Sequence, residues 1–361
     1  MSCRRMNAIG SMSDPIDFSL PPDLSAKEPP ERRGSRRRDS VRLLVISRRT
    51  GKVSHSRFER LCDFLVPGDL LVFNASRTLP ASLSGWRESD KSKVEVRLAS
   101  RLSNNSWLAL IRSALPENCA VLERRNSVIS FESGLNARLE SPHREIPGMW
   151  KVRFSAGGSE LIDLIYRLGE PVRYQYVSKP WELNYYQTIY ARDPGSAEMP
   201  SAGRAFTWKM LLQLRKMGIE TAFITLHTSL SSYLDDELDR RHPTIAEEYR
   251  IGKQTALKIG AASSAGKRII AVGTTVVRAL ESAAQVDGIV RAGHRYSGLM
   301  ITSDYPLRVT DGILTGLHEP RASHLELLSA FISPALLNEA YIGAVQMRYF
   351  WHEFGDFNLI I

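Results

Sequence analysis

Ile269-Ile270-Ala271-Val272-Gly273-Thr274-Thr275-Val276-Val277-Arg278-Ala279-Leu280-Glu281-Ser282 is the stretch on which the fold class turns. Its four leading apolar residues predict a buried strand. Gly273-Thr274-Thr275 supplies a turn, and the residues behind it predict a helix whose first-turn N–H groups lack intrahelical acceptors. Such an end attracts anions and carboxylates through its donors and its dipole, and the Thr hydroxyls can cap it or hold a ligand. Alone, the segment is a strand-to-helix turn. Three further segments accompany it: Pro200-Ser201-Ala202-Gly203-Arg204-Ala205-Phe206, Leu226-His227-Thr228-Ser229-Leu230-Ser231-Ser232-Tyr233, and Gly316-Leu317-His318-Glu319-Pro320-Arg321-Ala322-Ser323.

Outward from 269–282 the pattern alternates helix and strand. Trp208 to Met217 predicts a helix closed by Gly218, Glu220 to Leu226 a strand, and Ala246 to Ala262 a helix. Val309 to Leu317 leads into a helix starting near Ser323. Strands separated by helices imply a mixed α/β sheet covered by helices. Nearer the N-terminus, Arg42 to Ile46 predicts a strand ending in a hairpin turn at Arg48-Arg49-Thr50-Gly51. Phe58, Leu61, Phe64 and Leu65 recur at helical spacing, and Asp69 to Asn74 predicts another buried strand.

Between about 80 and 178 the character changes. Short runs at 94–98, 107–111, 121–123, 128–131, 137–139 and 150–154 are separated by Asn, Ser, Gly and Pro. Repeated short strands with such turns predict a small barrel or sandwich inserted into the chain. The expected organisation is an irregular basic segment over 1–40, an α/β main domain from 41–80 and 179–361, and an inserted β-barrel domain over 81–178.

The chain has 361 residues, 43% apolar and 24% charged, as in an ordinary globular protein large enough for two domains. No run of about 18 apolar residues occurs, so no membrane span is expected. No apolar core follows Arg4-Arg5, so secretion is not expected. Cys3, Cys62 and Cys119 are scattered and outside metal-ligand spacing, which points to a reduced cytoplasmic setting. The net charge is +9, from 48 basic and 39 acidic residues, and much of the basic density lies in Glu31 to Asp39. It suits a polyanion such as RNA, or equally a solvated basic loop.

Neither a Walker loop, a strand-to-helix Gly-x-Gly-x-x-Gly nor a hydrolase elbow is present, and no metal-binding motif occurs. The candidates for chemistry are polar residues at strand ends. His227 follows an apolar strand and can act as acid or base, or simply bond to backbone. His318 or Glu319 could present a base and Arg321 a clamp for carboxylate or phosphate; the alternative is a capped connector. Arg77 suits an anion or a structural hinge. Tyr186-Gln187 could stack a base or fill a domain interface.

Taken in order, these segments resemble the S-adenosylmethionine:tRNA ribosyltransferase-isomerase family of queuosine synthesis. Asp17-Phe18 and Leu20-Pro21 resemble its opening, and Arg38-Asp39-Ser40-Val41-Arg42-Leu43-Leu44 its Arg-Asp…Arg-Leu-Leu segment. Asn74 to Leu83 resembles Asn-Asp-Thr-Arg-Val-x-Pro-Ala-Arg-Leu, and Tyr186 to Ala191 resembles Tyr-Gln-Thr-x-Tyr-Ala. Val272 to Ser282 is similar to Val-Gly-Thr-Thr-x-x-Arg-x-Leu-Glu-Ser, and Gly355-Asp356 to part of Tyr-Gly-Asp.

The resemblance implies an α/β domain built from both chain ends with an inserted β-barrel. It also implies transfer and isomerisation of the ribosyl part of S-adenosylmethionine onto 7-aminomethyl-7-deazaguanine in tRNA, releasing adenine and methionine. S-adenosylmethionine would be a ribosyl donor and tRNA the partner. The enzyme would be a cytoplasmic monomer with no metal. The roles carried over are catalytic for His227, His318 and Glu319, and cofactor-binding for Gly273, Thr274, Thr275, Arg278, Arg321, Ser201 and Gly203. Arg77, Tyr186, Gln187, Arg38 and Arg42 would bind RNA or substrate.

The chain departs from the family at several motif positions. A His of the family's Pro-Thr-Ala-Gly-Leu-His-Phe is Ala205, and an Asp is Ala75. Two glycines are Ser229 and Ser231, and a Lys is Arg321. Serine for glycine reshapes a pocket, and Arg for Lys changes reach and geometry. Two alternatives therefore stand: a paralogue using S-adenosylmethionine on another acceptor, or a non-catalytic RNA- or nucleoside-binding descendant.

Overall fold

The computed structural model describes residues 16–34, 37–113, 125–174, 176–177, 179–231 and 245–361. The expected strand at 121–123, Ser232, Tyr233, Cys3, Cys119 and the first fifteen residues lie outside them. The chain begins its sheet with β1 (Arg42–Ile46), β2 (Val53–Arg57), β3 (Leu70–Asn74) and the short β4 (Ser76–Thr78). Then follow β5 (Ser82–Arg87), β6 (Lys93–Arg101), β7 (Ser106–Ser113), β8 (Val128–Ser130), β9 (Asn136–Pro142), β10 (Met149–Phe154) and β11 (Gly169–Glu170). The remainder carries β12 (Asp193–Ser196), β13 (Glu220–Leu226), β14 (Glu247–Ile251), β15 (Ile269–Val272), β16 (Gly293–Ser297), β17 (Gly312–Gly316) and β18 (Phe357–Ile360).

Nine strands form one sheet in the order β16-β14-β13-β3-β15-β17-β18-β1-β2. Its centre is parallel: β3 lies between β13 and β15, and β15 pairs with β17. These central strands read as apolar runs because helices and loops cover both faces. β15 is buried throughout. β18 closes the chain's two ends together, parallel to β1 and antiparallel to β17.

The inserted strands form a closed antiparallel barrel, β5-β6-β7-β10-β9-β8, sealed where Trp86 and Arg87 of β5 pair with Ser130 and Ile129 of β8. Alternation makes this work. Along β6, Val94, Val96 and Leu98 are buried in the barrel core with Trp107, Ala109 and Val152. The mixed α/β architecture with an inserted barrel is therefore the fold.

Two expectations need correction. The stretch 246–262 is not one helix: β14 occupies Glu247–Ile251 and a helix runs from Lys253 to Ser264. The reason is visible in 247–251, where buried Glu247, Tyr249 and Ile251 alternate at period two, and Gly252 separates the elements. The insert also contains a helix, Gly158–Leu168, that the strand pattern had hidden. Its Leu161 and Ile165, four residues apart, seat it on the barrel core.

The described part of the N-terminal segment lacks regular strands but is packed. Ile16, Phe18 and Leu24 join the main core. Its arginines are committed internally. Arg33 donates to the Phe354 carbonyl, Arg37 pairs with Asp39 at 2.8 Å, and Arg38 pairs with Glu31 at 3.5 Å. Arg33 and Arg38 are thus part-buried packing residues, while Arg32 and Arg37 are exposed.

Candidate functional site

The parallel strands β3, β13, β15 and β17 end on the same side, and beyond those ends lies a cavity of about 770 Å³. Open α/β sheets place ligands at the carboxyl ends of their strands. This cavity is lined by the ends of β15 and β17, the 228–231 loop after β13, the 197–202 loop, Pro171, Val172, Tyr174 and Tyr176 behind the barrel, and His352-Glu353.

Gly273, Thr274 and Thr275 line it, at the start of the helix Thr274–Ala283. Gly273 has φ 105°, a conformation open to glycine alone, and an added Cβ would sit 3.3 Å from the Ala202 Cβ. The turn therefore brings the helix N-terminus against the 201–203 turn. Asn74 at the end of β3 fixes the neighbouring strand end, donating to the Leu226 carbonyl at 2.8 Å and accepting from its N–H at 3.0 Å. One turn into the helix, Arg278 is buried and ion-paired with buried Glu247 of β14. Glu247 also accepts the Ser229 N–H at 3.1 Å.

The 316–323 loop forms another wall. His318, Glu319 and Arg321 all line the cavity. His318 Nε2 bonds Thr315 Oγ1 at 2.9 Å, and its ring stacks on His324 at 4.5 Å. Burial, with two neighbouring histidines, drives the His318 pKa well below that of an ordinary imidazole, so it is neutral. Glu319 is more open and lies 3.5 Å from His352 Nδ1. Burial brings His352 down to about 4. Arg321 stands at φ 61° with its guanidinium on Asp17.

Two carboxyls that sequence reasoning did not single out complete the wall. Glu198 is pushed up to about 8 by burial and by repulsion from Glu353 and Glu247. Glu353 is raised by burial as well, and receives the Tyr176 hydroxyl. Tyr174 and Tyr176 also line the cavity. Glu198 lies two residues before Pro200-Ser201, and Glu353 two before Gly355-Asp356. Proximity to those motifs was the only signal available.

Of the candidate residues, Gly273, Thr274, Thr275, Arg278, Ser201, His318, Glu319, Arg321 and Tyr186 are brought together on this cavity. Gly203 is adjacent but buried, and a Cβ there would fall 1.9 Å from the Tyr190 hydroxyl. Five others are not brought to the cavity. His227 Nδ1 bonds Ser76 Oγ at 2.7 Å, and its ring packs on Gly195, where a Cβ would lie 2.5 Å from Nδ1. Gln187 clamps Thr78, accepting its N–H at 3.1 Å and donating to its carbonyl at 2.7 Å. Arg38 donates to the Gln187 and Arg204 carbonyls. Arg42 donates to Met347 and Arg348 carbonyls and pairs with Asp356. Arg77 lies exposed over the Tyr166 ring at 5.6 Å. Among the described residues no group of three or more His, Cys, Asp or Glu is arranged to hold a metal.

A family model described as queuosine biosynthesis protein matches residues 13–360. The chain belongs to that family. It is 35% identical over 355 residues to the S-adenosylmethionine:tRNA ribosyltransferase-isomerase of Moorella thermoacetica, covering 96% of this chain and 98% of the relative. The Thermus thermophilus protein of the same name is 36% identical over the same shares. The crystal structure of S-adenosylmethionine tRNA ribosyltransferase from Thermotoga maritima superposes with a TM-score of 0.52 at 28% identity, covering 96% of this chain and 99% of that one. As a member of the queuosine biosynthesis family the chain is an enzyme.

Family membership also locates the departures. Ala205 is buried in the apolar cluster with Phe58, Phe206 and Leu214, and Ala75 is buried beside β3. Ser229 and Ser231, by contrast, line the cavity. Arg204 is fully internal, bonded to Glu31 and the Tyr185 carbonyl.

Proposed function

We propose that the cavity binds S-adenosylmethionine and that the enzyme transfers and isomerises its ribosyl part onto 7-aminomethyl-7-deazaguanine in tRNA. The products would be epoxyqueuosine in tRNA, adenine and methionine. The observation that carries this reading is the meeting, in one cavity, of the Gly273-Thr274-Thr275 helix end with several carboxyls. Free donors and Arg321 suit the methionine carboxylate, and carboxyls suit the donor's positive charge. The near-full-length kinship to named transferase-isomerases supports the same reading.

The sulfonium makes the C5′ protons of the donor removable. The reaction then needs a base at C5′, donors at the departing adenine and a clamp on methionine. Glu319 is the open carboxylate able to accept a proton. Neutral His318, held by Thr315, is suited to a hydrogen bond rather than a charge. Ser201, Thr274 and Thr275 offer hydroxyls to the ribose. Tyr186, whose hydroxyl burial keeps protonated, supplies a face for a base. Arg77, outside the cavity and exposed, suits contact with the tRNA backbone.

The test separates binding from turnover. Glu319→Gln and Thr275→Val are assayed for S-adenosylmethionine affinity and for tRNA-dependent adenine release. The reading expects Glu319→Gln to bind the donor within a few-fold of wild type while losing turnover about a hundredfold. Unchanged turnover in Glu319→Gln would remove it from the reaction.

Ser229 and Ser231 on the cavity wall favour one second reading, in which the same donor is used on a different acceptor. Adenine release that is insensitive to the modified tRNA would select it.

A further inference from the structure

Glu198 and Glu353 line the cavity and repel one another, yet each is hydrogen-bonded to a neutral partner. Glu198 Oε1 accepts the Ser231 N–H at 2.7 Å, and Glu353 Oε2 accepts the Tyr176 hydroxyl. Arg204 is the cation facing Glu353, and it is already committed to Glu31 at 2.7 Å. Among the described residues no cation is ion-paired with either carboxyl, and two carboxyls brought together in that way are costly unless something else supplies the charge.

Aromatic faces adjoin them. The Ser231 hydroxyl bonds the Tyr174 hydroxyl at 2.9 Å, and Tyr174 stacks on Tyr176 at 5.9 Å and 17°. A second, independent feature points to an occupant. Ser229 lines the same cavity and is 2% exposed, and its buried Oγ has no hydrogen-bond partner among the described residues. Buried polar atoms are nearly always satisfied, so an orphan hydroxyl on a residue that lines a cavity points to a ligand contact.

We infer that Glu198 and Glu353, with the faces of Tyr174 and Tyr176, form a subsite for the sulfonium of S-adenosylmethionine, and that Ser229 donates to the adjoining part of the donor. The inference rests on the donor assignment made above. A sulfonium carries full positive charge but no N–H, so it is held by carboxylate charge and ring faces rather than by hydrogen bonds. The subsite contains both elements. A primary ammonium, as on the aminomethyl group of the acceptor base, shares the charge, and the probes below separate the two.

Titration calorimetry at pH 8.5 tests this with the full chain and three probes. They are S-adenosylmethionine, the uncharged thioether S-adenosylhomocysteine, and 7-aminomethyl-7-deazaguanine. Wild type is expected to prefer the sulfonium to the thioether by at least tenfold. Glu198→Gln, which keeps shape and removes charge, should bring the ratio to within about threefold by losing the sulfonium alone. Glu353→Gln should shift it in the same direction. A ratio near one in wild type, or a ratio unchanged in both variants, overturns the subsite while leaving the functional reading in place. Loss confined to 7-aminomethyl-7-deazaguanine reassigns the charge to the acceptor and overturns the sulfonium assignment. No binding of either sulfur compound by wild type overturns the functional reading, and the subsite with it.

Discussion

At the residue scale, Glu198 is where stability and ligand binding oppose one another. Burial pushes its carboxyl up to about 8, against an unfolded value near 4.3. The folded state therefore binds more protons between those values, and stability falls as pH rises through that window. Glu198→Gln should melt on the order of a few degrees higher than wild type at pH 8, with the gap closing by pH 5, as read by calorimetry. A bound cation favours the ionised form. Donor affinity should accordingly rise from pH 6.5 to 8.5 in wild type and stay flat in Glu198→Gln. The groups facing Glu198 that could blur this are Glu353 and Glu247 with its partner Arg278, and Glu319 acts on Glu353 in turn. Arg278 is the other decisive residue. Replacing it by Met strands buried Glu247, and denaturant unfolding should show a loss of about 3–5 kcal/mol. The double variant Glu247→Gln/Arg278→Met should recover much of it.

At the element scale, local pattern was informative wherever an element was continuous and periodic. Glu220 to Leu226 is a strand over the expected bounds, as is Arg42 to Ile46. Pattern failed where two periods abut, at 246–262, and where a short helix sits among strands, at 158–168. The site was legible in part for the same reason. Gly273 to Arg278 lies on a single strand–turn–helix unit, so its sequence shows it. Glu198, Tyr176 and Glu353 come from connections far apart in the chain, and only the closed fold makes them neighbours. His227 is legible because it ends a strand, and only the strand-end geometry shows that its ring lies against Ser76 and Gly195. The turn itself gives a sharp expectation. Gly273→Ala forces a side chain into φ 105° and against Ala202, which should cost about 1–3 kcal/mol. Donor affinity should weaken with it, because the helix N-terminus moves.

At the scale of the whole molecule, the barrel and the sheet meet at the cavity. Tyr174 and Tyr176 arrive from the chain leaving the barrel, Glu198 from the return to the sheet, and His352-Glu353 from the C-terminal closure. Gln187 locks this junction through both backbone groups of Thr78. The site is therefore a product of the insertion, and composition alone could announce the barrel but not what its placement assembles. The proposed chemistry of this cavity is transfer of the donor's ribosyl part onto tRNA. It is tested most directly by incubating the protein with S-adenosylmethionine and tRNA bearing 7-aminomethyl-7-deazaguanine, following adenine and nucleoside mass together. One adenine released per nucleoside converted to the epoxyqueuosine mass is the expected result. Adenine released with the nucleoside mass unchanged, or no adenine at all, would contradict it.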